Sequence, residues 1–430
     1  MKKQLLFILL AASLFCACKP VTTNPPVNPQ DTTKVTPPDT TTSQDGTMRQ
    51  PKPMSFATAE EQLAYRTNEF TFNLTSLICA NPDKANIILS PLSASLMLGM
   101  VMNGADGETL TQMQQALGFE GLTQAQINEW YKNLIEMLPS LDTVSTVKIA
   151  NSIWVHNDFP VKPAYIDLNR QYFHATADNV NMKDAATADR INQWAADNTN
   201  DLIKKVVSAD DIANCVMILA NALYFKSKWL EPFDPTNTHK SDFDPLSGSR
   251  IKPDMMTGDM MARYANTAAG QLLEMDYKDR KYCMDVLLPT RGKDIRQVVA
   301  NLTADDWNAM LEQLYYTDVW VTFPKFKLKY NRTLTEDLKA AGMPKALSVA
   351  AEFPHVSDIP TYLSWVKQAC YLAVDESGTE AAAVTIGGYE ATGVGPEIDF
   401  RVDRPFFLVI REKQHGNILF TAMITNPEAE

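Results

Sequence analysis

The sequence predicts an α+β fold carried by one large domain. Three observations lead there. Helix signals come early, opening with a capping box in which Thr58 and Glu61 precede apolar residues at helical spacing, Leu63, Phe70, Leu74, Leu77 and Ile78. Strand signals dominate later and end in a hairpin, Phe406–Arg411 against Ile418–Thr425, turning through His415-Gly416-Asn417. No linker rich in Pro, Gly or Ser divides residues 55–430, in a chain that is 45% hydrophobic, so one continuous core is expected. Helices first and antiparallel strands afterwards is the α+β order.

Taken from the start, residues 1–18 read as a secretory leader, with Lys2 and Lys3 ahead of an apolar run, Leu5–Phe15, that is too short to span a bilayer. Phe15-Cys16-Ala17-Cys18 looks like a bacterial lipobox without the usual Leu three before the Cys. Cys18 suits lipidation better than Cys16, because small Ala17 precedes it whereas bulky Phe15 precedes Cys16; a plain signal peptide is the alternative. Residues 19–54 are dominated by Thr and Pro with no periodicity, an extended tether. The expectation is an exported monomer, lipid-anchored at a bacterial outer membrane on its cell-surface or periplasmic face, and extracellular if released.

Within the domain, Ser90-Pro91 starts a second helix and Asn103-Gly104 ends it. Strands are expected at Val147–His156, Cys215–Lys226, Tyr282–Pro289, Val319–Lys329, Trp365–Val374 and Ile398–Arg411. The net charge of −12, or −14 once Lys2 and Lys3 leave with the leader, excludes nucleic acid as a partner. Cys79, Cys215, Cys283 and Cys370 sit in apolar runs without CxxC spacing or a neighbouring His, so buried free thiols are expected rather than a metal site. A disulfide stays open in an exported chain. The five histidines fall in loop-like or turn-like settings, and there is no G-x-S-x-G elbow, phosphate loop, HExxH or paired carboxylate. Neither catalysis nor a cofactor is expected.

The stretch Val374–Pro396 is the part that local rules leave undecided. Thr379-Glu380 and Ala381–Ala383 favour a helix start, Val384-Thr385-Ile386 favours a strand, and Gly387-Gly388 breaks either. Read as a strand, it puts Thr379, Ala381, Ala383 and Thr385, all small, on one face. Such a face can enter a packed sheet without overpacking it. An Ala-rich surface loop is the plainer reading from composition.

The run Glu376-Ser-Gly378-Thr379-Glu380-Ala381-Ala382-Ala383 closely resembles the hinge of the serpins, protease inhibitors whose reactive loop inserts into their own sheet. Further stretches are similar to serpin motifs in the family's order, from about Thr58 to Pro427. They are Asn86–Ser93, Ile191–Trp194 with Asn198–Asn200, Asn221–Lys226 through Trp229 and Phe233, Phe323–Phe326 and Asp403–Phe407. The resemblance implies helices packed around a large, mostly antiparallel central sheet, with further sheets and an exposed reactive loop. It implies suicide inhibition of an endopeptidase through a covalent acyl-enzyme complex, the attacking Ser or Cys being the target's own. The family's interval of about seventeen residues from Glu376 puts the reactive bond at Thr392–Gly393. Small Thr392 points to a serine protease with a small or broad primary pocket; Tyr389 and Glu390 are competing positions. Ser90, Ser93, Asn221, Trp229 and Gln368 match the region where the sheet opens, Gln368 standing where the family commonly has His. Alternatives are a non-inhibitory serpin acting as a binding module, which usually has a bulky or charged hinge residue, and a structural or adhesive surface lipoprotein.

Overall fold

The computed structural model describes the backbone of residues 9–18 and, in full, residues 58–379 and 398–429. The tether 19–54 and the loop from Glu380 to residue 397 lie outside the described residues. Ten helices are described: α1 Ala59–Ala80, α2 Pro91–Met102, α3 Gly107–Ala116, α4 Gln124–Met137, α5 Pro163–Phe173, α6 Ala185–Asn198, α7 Ala209–Ile212, α8 Ile295–Ala300, α9 Ala304–Leu311 and α10 Thr335–Ala340. The strands are β1 Leu9–Cys18, β2 Ile87–Leu89, β3 Thr146–His156, β4 Thr176–Val180, β5 Cys215–Lys228, β6 His239–Lys240, β7 Asp254–Asn266, β8 Gly270–Asp276, β9 Tyr282–Pro289, β10 Tyr315–Pro324, β11 Phe326–Thr333, β12 Tyr362–Val374, β13 Gly378–Thr379, β14 Ile398–Arg401, β15 Phe406–Glu412 and β16 Ile418–Ile424.

They form two sheets. The first runs β11-β12-β1-β5-β3-β4, with β13 on the end of β5; every pair is antiparallel except β3–β4. The second runs β14-β10-β7-β8-β9-β15-β16-β2, with β6 on β7, and only β10–β14 is parallel. Helix α2 has no polar face and all of its residues are buried, as a helix apolar all round must be. It packs beneath β5 and β1 and against β16, joining the sheets into one core. The capping box of α1 and the Ser90 cap with Pro91 in the first turn of α2 form as the local sequence requires.

Two expected strands are each split between two elements. Val319–Lys329 breaks after Pro324, which has no N–H to continue a ladder; β10 lies in the second sheet and β11 in the first. Ile398–Arg411 breaks at Asp403-Arg404-Pro405 into β14 and β15, the corner held by the Arg404 guanidinium donating to the Pro289 carbonyl at 2.8 and 3.0 Å. Cys79, Cys283 and Cys370 are free and buried, whereas Cys215, expected as a free thiol, is disulfide-bonded. In the β1–β5 register the backbone of Cys18 stands opposite Cys215.

Residues 9–18 fall in the segment read as a removable leader, and in the full chain they are the strand between β12 and β5. Each of those strands turns a row of N–H and C=O groups toward the gap, and backbone groups buried without partners are costly. An apolar segment free of Gly and Pro satisfies both rows, pairing Leu10–Cys18 with β12 and Leu9–Cys18 with β5.

Candidate functional site

Three features converge on the gap between β12 and β5: a clamped turn at one end, a strand lying in the gap, and a polar row crossing the sheet beneath it. The turn follows directly on β12. After Val374 the chain makes a tight turn in which the Asp375 N–H donates to the Gly378 carbonyl and the Gly378 N–H to the Asp375 carbonyl, at 3.1 and 3.2 Å. Gly378 has φ +145°, and a Cβ there would stand 2.3 Å from the Ser227 carbonyl oxygen, so only glycine fits this approach. β13 then pairs Gly378 with Lys228 and Thr379 with Ser227.

Neighbouring side chains hold this turn from several sides. Trp229 donates its backbone N–H to the Ser377 carbonyl and its indole N–H to the Asp375 carbonyl, each at 3.0 Å. Its ring stacks on Tyr277 with centroids 4.7 Å apart, and the Tyr277 hydroxyl is 2.7 Å from Thr379 Oγ1, which is wholly buried. Glu376 accepts from Lys325 Nζ at 2.7 Å and from Thr238 Oγ1 at 2.9 Å. Burial alone would raise the Glu376 carboxyl; the bonds from Lys325 and Thr238 outweigh it and hold the group below its ordinary value. Burial, then the nearby Glu376 charge, raises the Asp375 carboxyl.

The polar row lies further along the sheet. Gln368 on β12 accepts from the Ser90 N–H at 3.1 Å and donates to the Ser90 carbonyl at 2.8 Å, tying β12 to the start of α2. Ser93 Oγ donates to Asn221 Oδ1 at 2.5 Å, Asn221 to Asn151 Oδ1 at 2.8 Å, and Asn151 to the Phe173 carbonyl at 2.8 Å. Every one of these side chains is buried. In register, Gln368, Ser13, Asn221 and Asn151 form a line across β12, β1, β5 and β3.

The structure therefore brings Ser90, Ser93, Asn221 and Gln368 together, while Trp229, grouped with them from the sequence, sits at the other end of β5 against the hinge. Glu376, Gly378 and Thr379 are in the clamped turn. Glu380, Ala381, Ala382, Ala383, Thr392 and Gly393 lie outside the described residues, and of Cys18 the backbone alone is described. Sequence reasoning did not find Tyr277, Thr238 or Asn151, which reach the site from strands or turns distant in the chain and have no local signature. Lys325 could have been found, since it lies within the Phe323–Phe326 stretch.

Among the described residues one cluster has metal-ligand spacing, Glu274, Cys283 and Asp285, all buried. Arg411 bonds both carboxylates and Lys413 approaches Glu274 at 2.7 Å, so their charge is already matched within the protein.

Comparison with known proteins adds the rest. Residues 65–427 match the family described as Serpin (serine protease inhibitor). The chain is 30% identical to Iripin-1 of Ixodes ricinus, covering 86% of this chain and 96% of the relative, and 29% identical to neuroserpin of Gallus gallus, covering 85% and 94%. Among solved structures it is similar to the thermophilic serpin tengpin in the native state, with a TM-score of 0.78, 28% identity and coverage of 87% of this chain and 97% of that one.

Proposed function

We propose, from the premise that the chain belongs to the serpin family, that it inhibits endopeptidases by offering residues 376–396 as substrate and trapping the acyl-enzyme. The register of β13 on β5 is the observation that supports this reading. β13 runs along β5 in the same direction as β1, and Leu9 of β1 takes up pairing at Phe225, two residues beyond Ser227. Continued without a shift, β13 would bring Ala381 to Phe225, Ala383 to Leu223 and Thr385 to Asn221. Thr385 would then take the place of Ser13 in the polar row, putting the loop's hydroxyl where the sheet has polar partners.

In the proposed reaction the target's Ser or Cys attacks the Thr392 carbonyl carbon, the Thr392–Gly393 C–N bond breaks, and Gly393 leaves as a free amine, taking the proton of the attacking hydroxyl or thiol. The loop up to Thr392 then enters between β12 and β5, carrying the acylated enzyme with it. Small, uncharged Thr392 suits serine endopeptidases with a small or broad primary pocket; Tyr389 would suit an aromatic pocket.

Because β1 fills the gap in the full chain, the inhibitory form is the one that begins at Cys18, with residues 1–17 removed as a leader. Cleavage before Cys18 removes all of β1 except its last residue, so the anchored form and the β1-filled sheet are separate states. No helix among the described residues is long and apolar enough to cross a membrane. In this reading the lipid on Cys18 supplies the anchor of the exported form.

A panel of serine and cysteine endopeptidases tests the reading. Protein lacking residues 1–17 should form complexes that survive denaturation, with mass spectrometry placing the cut after Thr392, while full-length chain should be cut without trapping. Cleavage with no covalent complex by any member of the panel refutes inhibition, and a cut after Lys or Arg refutes the assigned bond. Cys18→Ala should release the protein from membranes; retention refutes the anchor.

A further inference from the structure

Large exposed apolar side chains are few among the described residues, and Met261, Tyr315, Tyr316 and Trp320 cluster on β7 and β10. On β10, Tyr316, Asp318 and Trp320 alternate outward while Val319 and Val321 are buried. Across the ladder Asp318 faces Met261 and Trp320 faces Asp259; on the other side Trp320 faces Asp399 of β14. Met261 and Tyr316 are 45% and 52% exposed and Trp320 36%. The result is an aromatic stripe set among three exposed carboxylates.

These carboxylates are poorly compensated. No ion pair joins Asp259 or Asp318 to a cation among the described residues, and burial followed by the Asp318 charge raises the Asp259 carboxyl. Arg263, on the same strand as Asp259, is engaged with Glu274 at 3.0 Å and with the Leu311 and Leu314 carbonyls. Among the described residues Asp399 pairs with Arg401 alone, at 3.8 Å on an exposed edge. A cation arriving from outside would relieve the Asp259–Asp318 repulsion, and a flat apolar surface would cover Trp320 and Tyr316.

Position says which partner can arrive. β14 is the strand into which the loop runs, and Asp399 stands six positions beyond Gly393, a reach of at most about 22 Å even fully extended. An endopeptidase of ~250 residues has a radius of gyration of about 18 Å, so one seated on the reactive bond is large enough to reach this face. We propose that the outward face of β7, β10 and β14 is a second docking surface for the target endopeptidase, taking a basic patch with apolar side chains beside the enzyme's cleft. It rests on the inhibitory reading above and adds to it a criterion of target choice independent of the loop sequence.

The test compares leader-free parent with Asp259→Asn/Asp318→Asn, with Trp320→Ala and with the singly changed, surface-exposed Asp318→Lys, after checking that melting temperatures match. The readout is the second-order rate of covalent complex formation with basic and acidic endopeptidases at low and high salt. With a basic endopeptidase, both charge variants should slow association about five- to tenfold at low salt and flatten its salt dependence. Trp320→Ala should slow it about fivefold at either salt. The number of inhibitor molecules consumed per enzyme should not change, since loop insertion does not involve this face. Parent and variants reacting at equal rates at every salt would overturn the docking surface while leaving inhibition intact; a parent that forms no covalent complex overturns both.

Discussion

Ala383→Arg, made in protein lacking residues 1–17, tests insertion most directly. Thr379 is already buried against Tyr277 and paired with Ser227, so a charge there would damage the uncut hinge as well as insertion. Ala383 lies beyond the last described pair, and continuing that register sets it opposite Leu223 on the inward face. The inward neighbours on β5, Phe225, Leu223 and Asn221, are each 0% exposed and offer no carboxylate. An arginine stranded there costs about 3–5 kcal/mol. At ~1.4 kcal/mol per factor of ten, even the lower figure slows insertion about 150-fold. Hydrolysis of the acyl-enzyme then overtakes trapping. The assay is titration of a fixed amount of endopeptidase, counting inhibitor molecules consumed per enzyme inactivated and following both products on a denaturing gel. Ala383→Arg should raise that stoichiometry at least about tenfold and leave cut inhibitor in place of complex, while Ala383→Ser stays within about twofold of the parent. If Ala383→Arg inactivates the enzyme at the parent's stoichiometry, the inhibitory strand does not enter beside β5 in this register.

Gln368→Ala should destabilise the uncut fold by about 2–4 kcal/mol in urea titration, because it leaves the buried Ser90 N–H and carbonyl without their side-chain partner. Gly378→Ala should cost roughly 2 kcal/mol or more, read as a lower denaturation midpoint, since φ +145° is strained for a side chain and the Ser227 carbonyl occupies its place. Glu376→Ala should lose ~1–3 kcal/mol at neutral pH by removing the acceptor of Lys325 and Thr238. Its folded carboxyl lies below the unfolded value, so this stabilisation is present above the ordinary carboxylate range and disappears as pH falls through and below roughly 4. The gap in melting temperature between parent and Glu376→Ala should therefore narrow in acid; a gap constant with pH would refute the Glu376–Lys325 account.

The sequence by itself determined the features whose causes are local. The Thr58–Glu61 box, the Ser90-Pro91 helix start and the final hairpin depend on residues three or four apart, or on one turn, and all form as read. Glu376–Ala383 drew notice only through its resemblance to the serpin hinge, because local rules leave Val374–Pro396 undecided; of that run the structure describes Glu376–Thr379, held in a tight turn against β5. Tertiary structure alone decided what depends on partners far along the chain. Pro324 marks a break in any reading, but that β10 joins one sheet and β11 the other follows from which edges were open to each. Tyr277 and Thr238 come to hold the turn after β12 through folding, and Cys215 comes opposite Cys18 through the β1–β5 ladder. An apolar run such as Leu9–Cys18 has no strand address of its own. It becomes β1 because β12 and β5 stand apart with unpaired backbone groups on both sides, a condition that exists only once residues more than a hundred positions apart have been assembled into one sheet.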